Sequence, residues 1–119
     1  MTNGTIQRQE RLIEVIASGL AAIEAKAGER PVWNSSSYDI IRAYDERRAK
    51  LVEDFRELLS STEGARFSKP SHDYAVTLAG FRASSTSSWE GALTNWHTGA
   101  CRRLGKDGYQ RVDPRRIVT

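Results

Sequence analysis

Two runs of apolar residues, each stepping by three and four, constrain the fold more than any other feature of the chain. From Ile6 to Ala27 the positions Leu12, Ile13, Ile16, Leu20, Ile23 and Ala27 recur with the period of a helix that buries one face. From Tyr38 to Leu59, Ile41, Tyr44, Leu51, Val52, Phe55, Leu58 and Leu59 repeat the pattern. Pro31 and the Asn34-Ser35-Ser36 cluster mark Glu29 to Ser36 as a loop, so the two stretches predict a pair of long antiparallel helices. Thr5 is placed to cap the first helix and Gly28 to end it, while Ser36 or Ser37 caps the second. Gly19 costs about 1 kcal/mol relative to Ala in mid-helix, which predicts a close helix crossing there. Trp33, in the loop, is expected to plug the gap between the helices.

The outer face of the second stretch mixes signs: Asp45, Glu46, Arg47, Arg48, Lys50, Glu53, Asp54, Arg56 and Glu57. That band predicts a solvated surface with ion pairs one turn apart, not a stripe for nucleic acid.

The second half of the chain is less regular. Gly64 and Pro70 break a polar stretch from Ser60 to Ser71. A shorter third helix is expected from Asp73 to Phe81, capped by Ser71 and turning Tyr74, Leu78 and Phe81 inward. The hydroxyl run Ser84-Ser85-Thr86-Ser87-Ser88 suits a turn that starts a helix, and Ser87 with Glu90 has capping-box spacing. A fourth helix then runs from Ser88 to Leu104, carrying Trp89, Leu93 and Trp96 on one face, with Gly105 as its stop. Beyond it only a short strand from Tyr109 to Val112 is expected. The expected fold is therefore all-α. It is a small helical bundle of two long and two shorter helices over residues 1–104, followed by an irregular basic tail over residues 105–119.

A chain of 119 residues buries enough surface to fold as one domain without metal or disulfide. No run approaches the ~18 apolar residues of a membrane span. The chain opens Met1-Thr2-Asn3-Gly4 without a charged-then-apolar leader, and Cys101 is its only cysteine. These features point to a cytoplasmic protein with no membrane partner. The net charge of +3 is unevenly spread. Residues 1–60 carry nine Lys/Arg against ten Asp/Glu, whereas residues 61–119 carry nine against five. From Gly99 onward, Arg102, Arg103, Lys106, Arg111, Arg115 and Arg116 face only Asp107 and Asp113. A basic end of this kind favours phosphate backbones or acidic protein surfaces.

Catalytic chemistry finds little footing. His97 and Cys101 lie four apart on the last helix, but His72 is the only other histidine and Asp73 the nearest carboxylate, and the helix pair supplies two of the four ligands zinc needs, so no metal or cofactor is expected. Cys101 sits among packing residues, and no serine occupies a Gly-x-Ser-x-Gly elbow. The chain therefore reads as a non-enzymatic binding protein.

Two nucleic-acid modes fit the residues. Trp89, Trp96 and Tyr109 interleave with Arg82, Arg102, Arg103, Lys106 and Arg111, as in proteins that stack single-stranded bases beside a cationic groove. The competing reading makes both tryptophans core, since a spacing of seven with Leu93 between is what a buried stripe requires. The helix expected at Asp73 to Phe81, the turn Arg82 to Ser85 and the helix after it also have a helix-turn-helix layout, although Thr86 stands where an aliphatic residue belongs.

The stretch Trp89-Glu90-Gly91-Ala92-Leu93-Thr94-Asn95-Trp96, followed by Ala100, Arg102 and Arg103 and preceded by Phe81-Arg82, resembles an element of phage replication-initiation and primosomal single-strand-binding proteins. That element has the form Trp-x-x-x-aromatic-x-Asn-Trp followed by small and basic residues. The match covers about 25 positions, Leu93 replaces the second aromatic, and the lysine-rich linker is absent. The resemblance implies binding to single-stranded DNA or a replication partner through Arg102 and Arg103.

The favoured partner is thus nucleic acid or a nucleoprotein machine, engaged by Arg82, Arg102, Arg103, Lys106, Arg111, Arg115 and Arg116. The alternative is a phage-type or accessory adaptor or inhibitor that acts on a larger host complex, with Trp33, Tyr38 and Tyr44 as interface anchors. Self-association through the Ile6 to Ala27 helix is a further reading, because that helix carries more apolar surface than one core needs.

Overall fold

The computed structural model describes residues 3–32, 34 and 37–105. Over these the chain is α+β, with three helices and a three-stranded antiparallel sheet, and not the all-α bundle of four helices that periodicity suggested. The order is α1 (Asn3–Ala27), α2 (Tyr38–Glu63), β1 (Arg66–Ser68), β2 (Tyr74–Leu78), β3 (Phe81–Ser85) and α3 (Trp89–Leu104).

The two long helices follow their stripes. Leu12, Ile13, Ile16, Ile23 and Ala27 of α1 are buried, as are Ile41, Tyr44, Val52, Phe55 and Leu59 of α2. Gly28 ends α1 in the left-handed conformation (φ 80°), its N–H donating to Glu24 O. Ser37 occupies the position before α2, but its hydroxyl turns back into the loop and caps nothing: it accepts from Asn34 N at 2.8 Å. At its other end α2 runs past Leu59 to Glu63, whose carboxylate takes two hydrogen bonds from Arg11 (2.7 and 2.8 Å) and whose carbonyl takes one from Arg8. At Gly19 the helices pack closely, since the Phe55 ring fills the space that any β-carbon on Gly19 would need.

The expected third helix is a β-hairpin. Tyr74, Val76 and Leu78 alternate inward along β2, and the chain reverses through Ala79 and Gly80. Both turn residues have positive φ (52° and 81°), the requirement of the type I′ turn that joins two twisted strands. Tyr74, Leu78 and Phe81 also suit one helical face, so the short window satisfies both periods. Strand pairing decides it, with Phe67 of β1, Val76 of β2 and Ala83 of β3 side by side on the inner face. The helix-turn-helix layout disappears with that helix.

α3 packs along β3 and against α1. Ser88 caps it, its hydroxyl accepting from Gly91 N at 2.9 Å, and Gly105 closes it in the left-handed conformation. The Ser87–Glu90 box is not what forms, because Glu90 is drawn to Arg48 of α2 instead. Arg48 also reaches Glu24 of α1 (2.7 Å) and the Tyr44 hydroxyl (2.7 Å); the hydrogen bonds to Glu90 first, then Glu24, raise its pKa above the ordinary guanidinium value against the effect of burial. One half-buried cation therefore ties all three helices. Ala92, Leu93, Trp96, Ala100 and Cys101 form the buried face of α3, and the Trp96 indole N–H donates to Leu78 O at 3.0 Å.

Candidate functional site

The pleat sorts the sheet's side chains into two sets. Phe67, Tyr74, Val76, Leu78 and Ala83 lie toward the helices and contribute to or pack on the core, and Phe81, opposite Leu78, lies on the same side. Arg66, Ser68, Ala75, Thr77, Arg82 and Ser84 form the other face. Its cross-strand rows are Arg66–Thr77–Arg82 and Ser68–Ala75–Ser84. Arg66, Ser68, Arg82 and Ser84 are exposed, Thr77 is half-buried and Ala75 is buried. The face presents Arg66 and Arg82 from strands two apart, a backbone spacing of about 10 Å, flanked by hydroxyls. It carries no carboxylate and no aromatic ring.

The end of α3 carries two more arginines, near the hairpin end of the sheet but on its helix-facing side. The Arg103 guanidinium lies 3.6 Å from the centroid of the Phe81 ring, and its Nε donates to Gln9 Oε1 at 3.3 Å. Partial desolvation there lowers the Arg103 pKa from its ordinary value, yet a guanidinium stays charged at neutral pH. Arg102 is exposed beside it. Among the described residues, Arg66, Arg82, Arg102 and Arg103 have no carboxylate partner, whereas Arg11, Arg30, Arg42 and Arg48 are engaged by Glu63, Asp45, Glu46, Glu24 and Glu90. Among the described residues the ion pairs thus join the helices and the loop between α1 and α2, and none involves the sheet.

Of the sequence-derived cationic set, Arg82, Arg102 and Arg103 gather at the hairpin end of the sheet. Lys106, Arg111, Arg115 and Arg116 lie outside the described residues, as does the strand expected at Tyr109 to Val112. Arg66 was missed, because it lies in a stretch that reads as loop; the alternation Arg66-Phe67-Ser68 was its only signal. Of the interface anchors, Trp33 lies outside the described residues, Tyr38 is exposed and Tyr44 is buried at 3% with its hydroxyl on Arg48.

Neither tryptophan offers a stacking platform on the outer face. Trp96 is buried, and Trp89 is half-buried in a cluster with Phe67 and Tyr74, edge-on to both at 5.8 and 5.0 Å. Arg56 of α2 covers the same indole at 4.5 Å, so the cluster joins α2 to the sheet and α3. Cys101 is buried with its sulfur 3.9 Å from His97 Nδ1. Among the described residues no group of three or more His, Cys, Asp and Glu could hold a metal ion, and no helix is long and apolar enough to cross a membrane. Comparison with protein-family models, curated proteins and solved structures finds no match to this chain.

Proposed function

We propose that this chain is a non-enzymatic, cytoplasmic nucleic-acid-binding protein that lays the outer face of its sheet on a phosphate backbone. The observation that carries the reading is the row Arg66–Thr77–Arg82, two exposed arginines without carboxylate partners among the described residues. Arginine forks match phosphate oxygens in a two-point geometry, and serine and threonine hydroxyls add donors to the same oxygens. Arg102 and Arg103 add charge at the hairpin end, and the further basic residues Lys106, Arg111, Arg115 and Arg116 follow directly in the chain.

Duplex is favoured over single strand. Single-strand binders draw roughly 1–3 kcal/mol per base from aromatic stacking, and the face has no ring to offer. A three-stranded sheet about 10 Å wide, by contrast, suits the ~12 Å major groove. Titrating labelled duplex and single-stranded oligonucleotides of equal length by fluorescence anisotropy tests this. Tighter duplex binding is expected; preference for the single strand would return the function to the aromatic cluster.

A second reading, a protein–protein adaptor, is supported by Val32, Tyr38 and Ile40, which are 83%, 55% and 60% exposed around the start of α2. An adaptor using that patch would lose its partner on Tyr38→Ala and Ile40→Ser while keeping any oligonucleotide affinity.

A further inference from the structure

The outer face of the sheet is graded from its edges to its centre. β1 and β3 flank β2 at about 4.8 Å on either side. The long side chains, Arg66 and Arg82, stand on the flanking strands with Ser68 and Ser84 beside them, and the central strand turns only Ala75 and Thr77 outward. Among the described residues neither guanidinium makes a hydrogen bond, an ion pair or a ring contact, so both are free to swing outward.

A duplex seated on this face has its phosphates at the edges and its bases at the centre. The major groove is about 12 Å wide and the arginine row has a backbone spacing of about 10 Å, so each guanidinium meets the phosphates of one wall. The side chains of β2 between them then face the base edges on the groove floor. Ala75 is 1% exposed and stays below the surface, whereas Thr77 is half-buried and presents its outer atoms. Threonine offers two groups there. Its hydroxyl both donates and accepts, so it suits every base pair. Its methyl suits only a pair that has a methyl of its own in the groove, as thymine has at C5.

On the strength of that duplex-binding role, we propose that Thr77 sets a base preference for this face, favouring pyrimidines that carry a C5-methyl group in the major groove. Arginine on phosphate supplies affinity without sequence information, and the Thr77 methyl adds the discrimination. Salt dependence and base preference therefore belong to different residues of one row.

Fluorescence anisotropy of the full chain with matched duplexes tests this. One pair of duplexes is built of A·T pairs with either thymine or uracil, which lacks the methyl. The other is built of G·C pairs with either cytosine or 5-methylcytosine, which gains it. Wild type should bind the methylated member of each pair about fourfold more tightly, the worth of burying one methyl group. Thr77→Ser keeps the hydroxyl and drops the methyl, so it should bind both members equally. Thr77→Val keeps a methyl and should keep the preference, with thermal melts showing that each variant folds. The salt slope should be the same in all three proteins, because no phosphate contact is lost. Equal affinity of the wild type for methylated and unmethylated duplexes overturns the proposal and leaves the phosphate contacts standing, as does a preference that persists in Thr77→Ser. Absence of any duplex binding at low salt overturns the phosphate reading itself, and the role of Thr77 with it.

Discussion

Arg66 and Arg82 stand opposite the same residue, Thr77, from the two sides of the central strand. They lie 16 positions apart in the sequence, and two adjacent strand registers bring them into one row. Both side chains leave the face that the core does not use, and neither finds a carboxylate among the described residues. Two strands apart, about 10 Å by strand spacing, they make a locally positive row to which an anion is attracted.

The Gly19–Phe55 contact predicts a sign reversal. Gly19→Ala alone should destabilise by about 1–2 kcal/mol, because the new methyl collides with the ring and overpacking outweighs the gain in helix propensity. In a Phe55→Leu background the same change should be neutral or stabilising. Urea melts of the four proteins measure the coupling, and an equal effect in both backgrounds would count against the contact.

Ala79 pays for its place in the hairpin turn. An L-residue with a β-carbon at φ 52° is disfavoured, and Asn accepts that conformation more readily. Ala79→Asn should therefore stabilise by about 0.5–1 kcal/mol, raising Tm by roughly 2–6 °C. A lower Tm would argue against the turn geometry.

Glu63 predicts acid sensitivity. The hydrogen bonds from Arg11 hold its carboxyl below the ordinary value, aided by the charges of Arg11 and Arg8 and opposed by burial. A depressed folded pKa means stability that is present above the unfolded value of about 4.3 and is lost as pH falls through the lower folded value. Wild type should exceed Glu63→Gln in thermal stability at about pH 6, and the gap should narrow by about pH 3. A constant gap across that range would refute the assignment.

How much of this was legible follows from the length of each signal. α1 and α2 were readable because their stripes persist for more than twenty residues, too long to suit a strand. The hairpin was not, because Tyr74, Leu78 and Phe81 fit a helix as well as Tyr74, Val76 and Leu78 fit a strand. What separated them is non-local: the pairing of Val76 with Phe67 and Ala83. The loss of Arg66 from the site followed directly, since a residue assigned to a loop has no face. Tyr44 shows the reverse error. Its place in the stripe with Ile41 and Leu51 pointed to burial, and the reading as an interface anchor rested on residue type alone. The cationic bias that includes Arg82, Arg102 and Arg103 was legible because uneven charge is read without knowing the fold.

The central claim is that the outer sheet face meets phosphate, and the salt dependence of duplex affinity tests it most directly. Wild type and Arg66→Ala/Arg82→Ala are compared over a range of salt concentrations, with thermal melts showing that both fold. Each lost phosphate contact should flatten the log–log slope by about 0.9, so the double variant should lose up to about 1.8 and bind more weakly at every salt concentration. A slope and affinity identical to wild type would contradict the account.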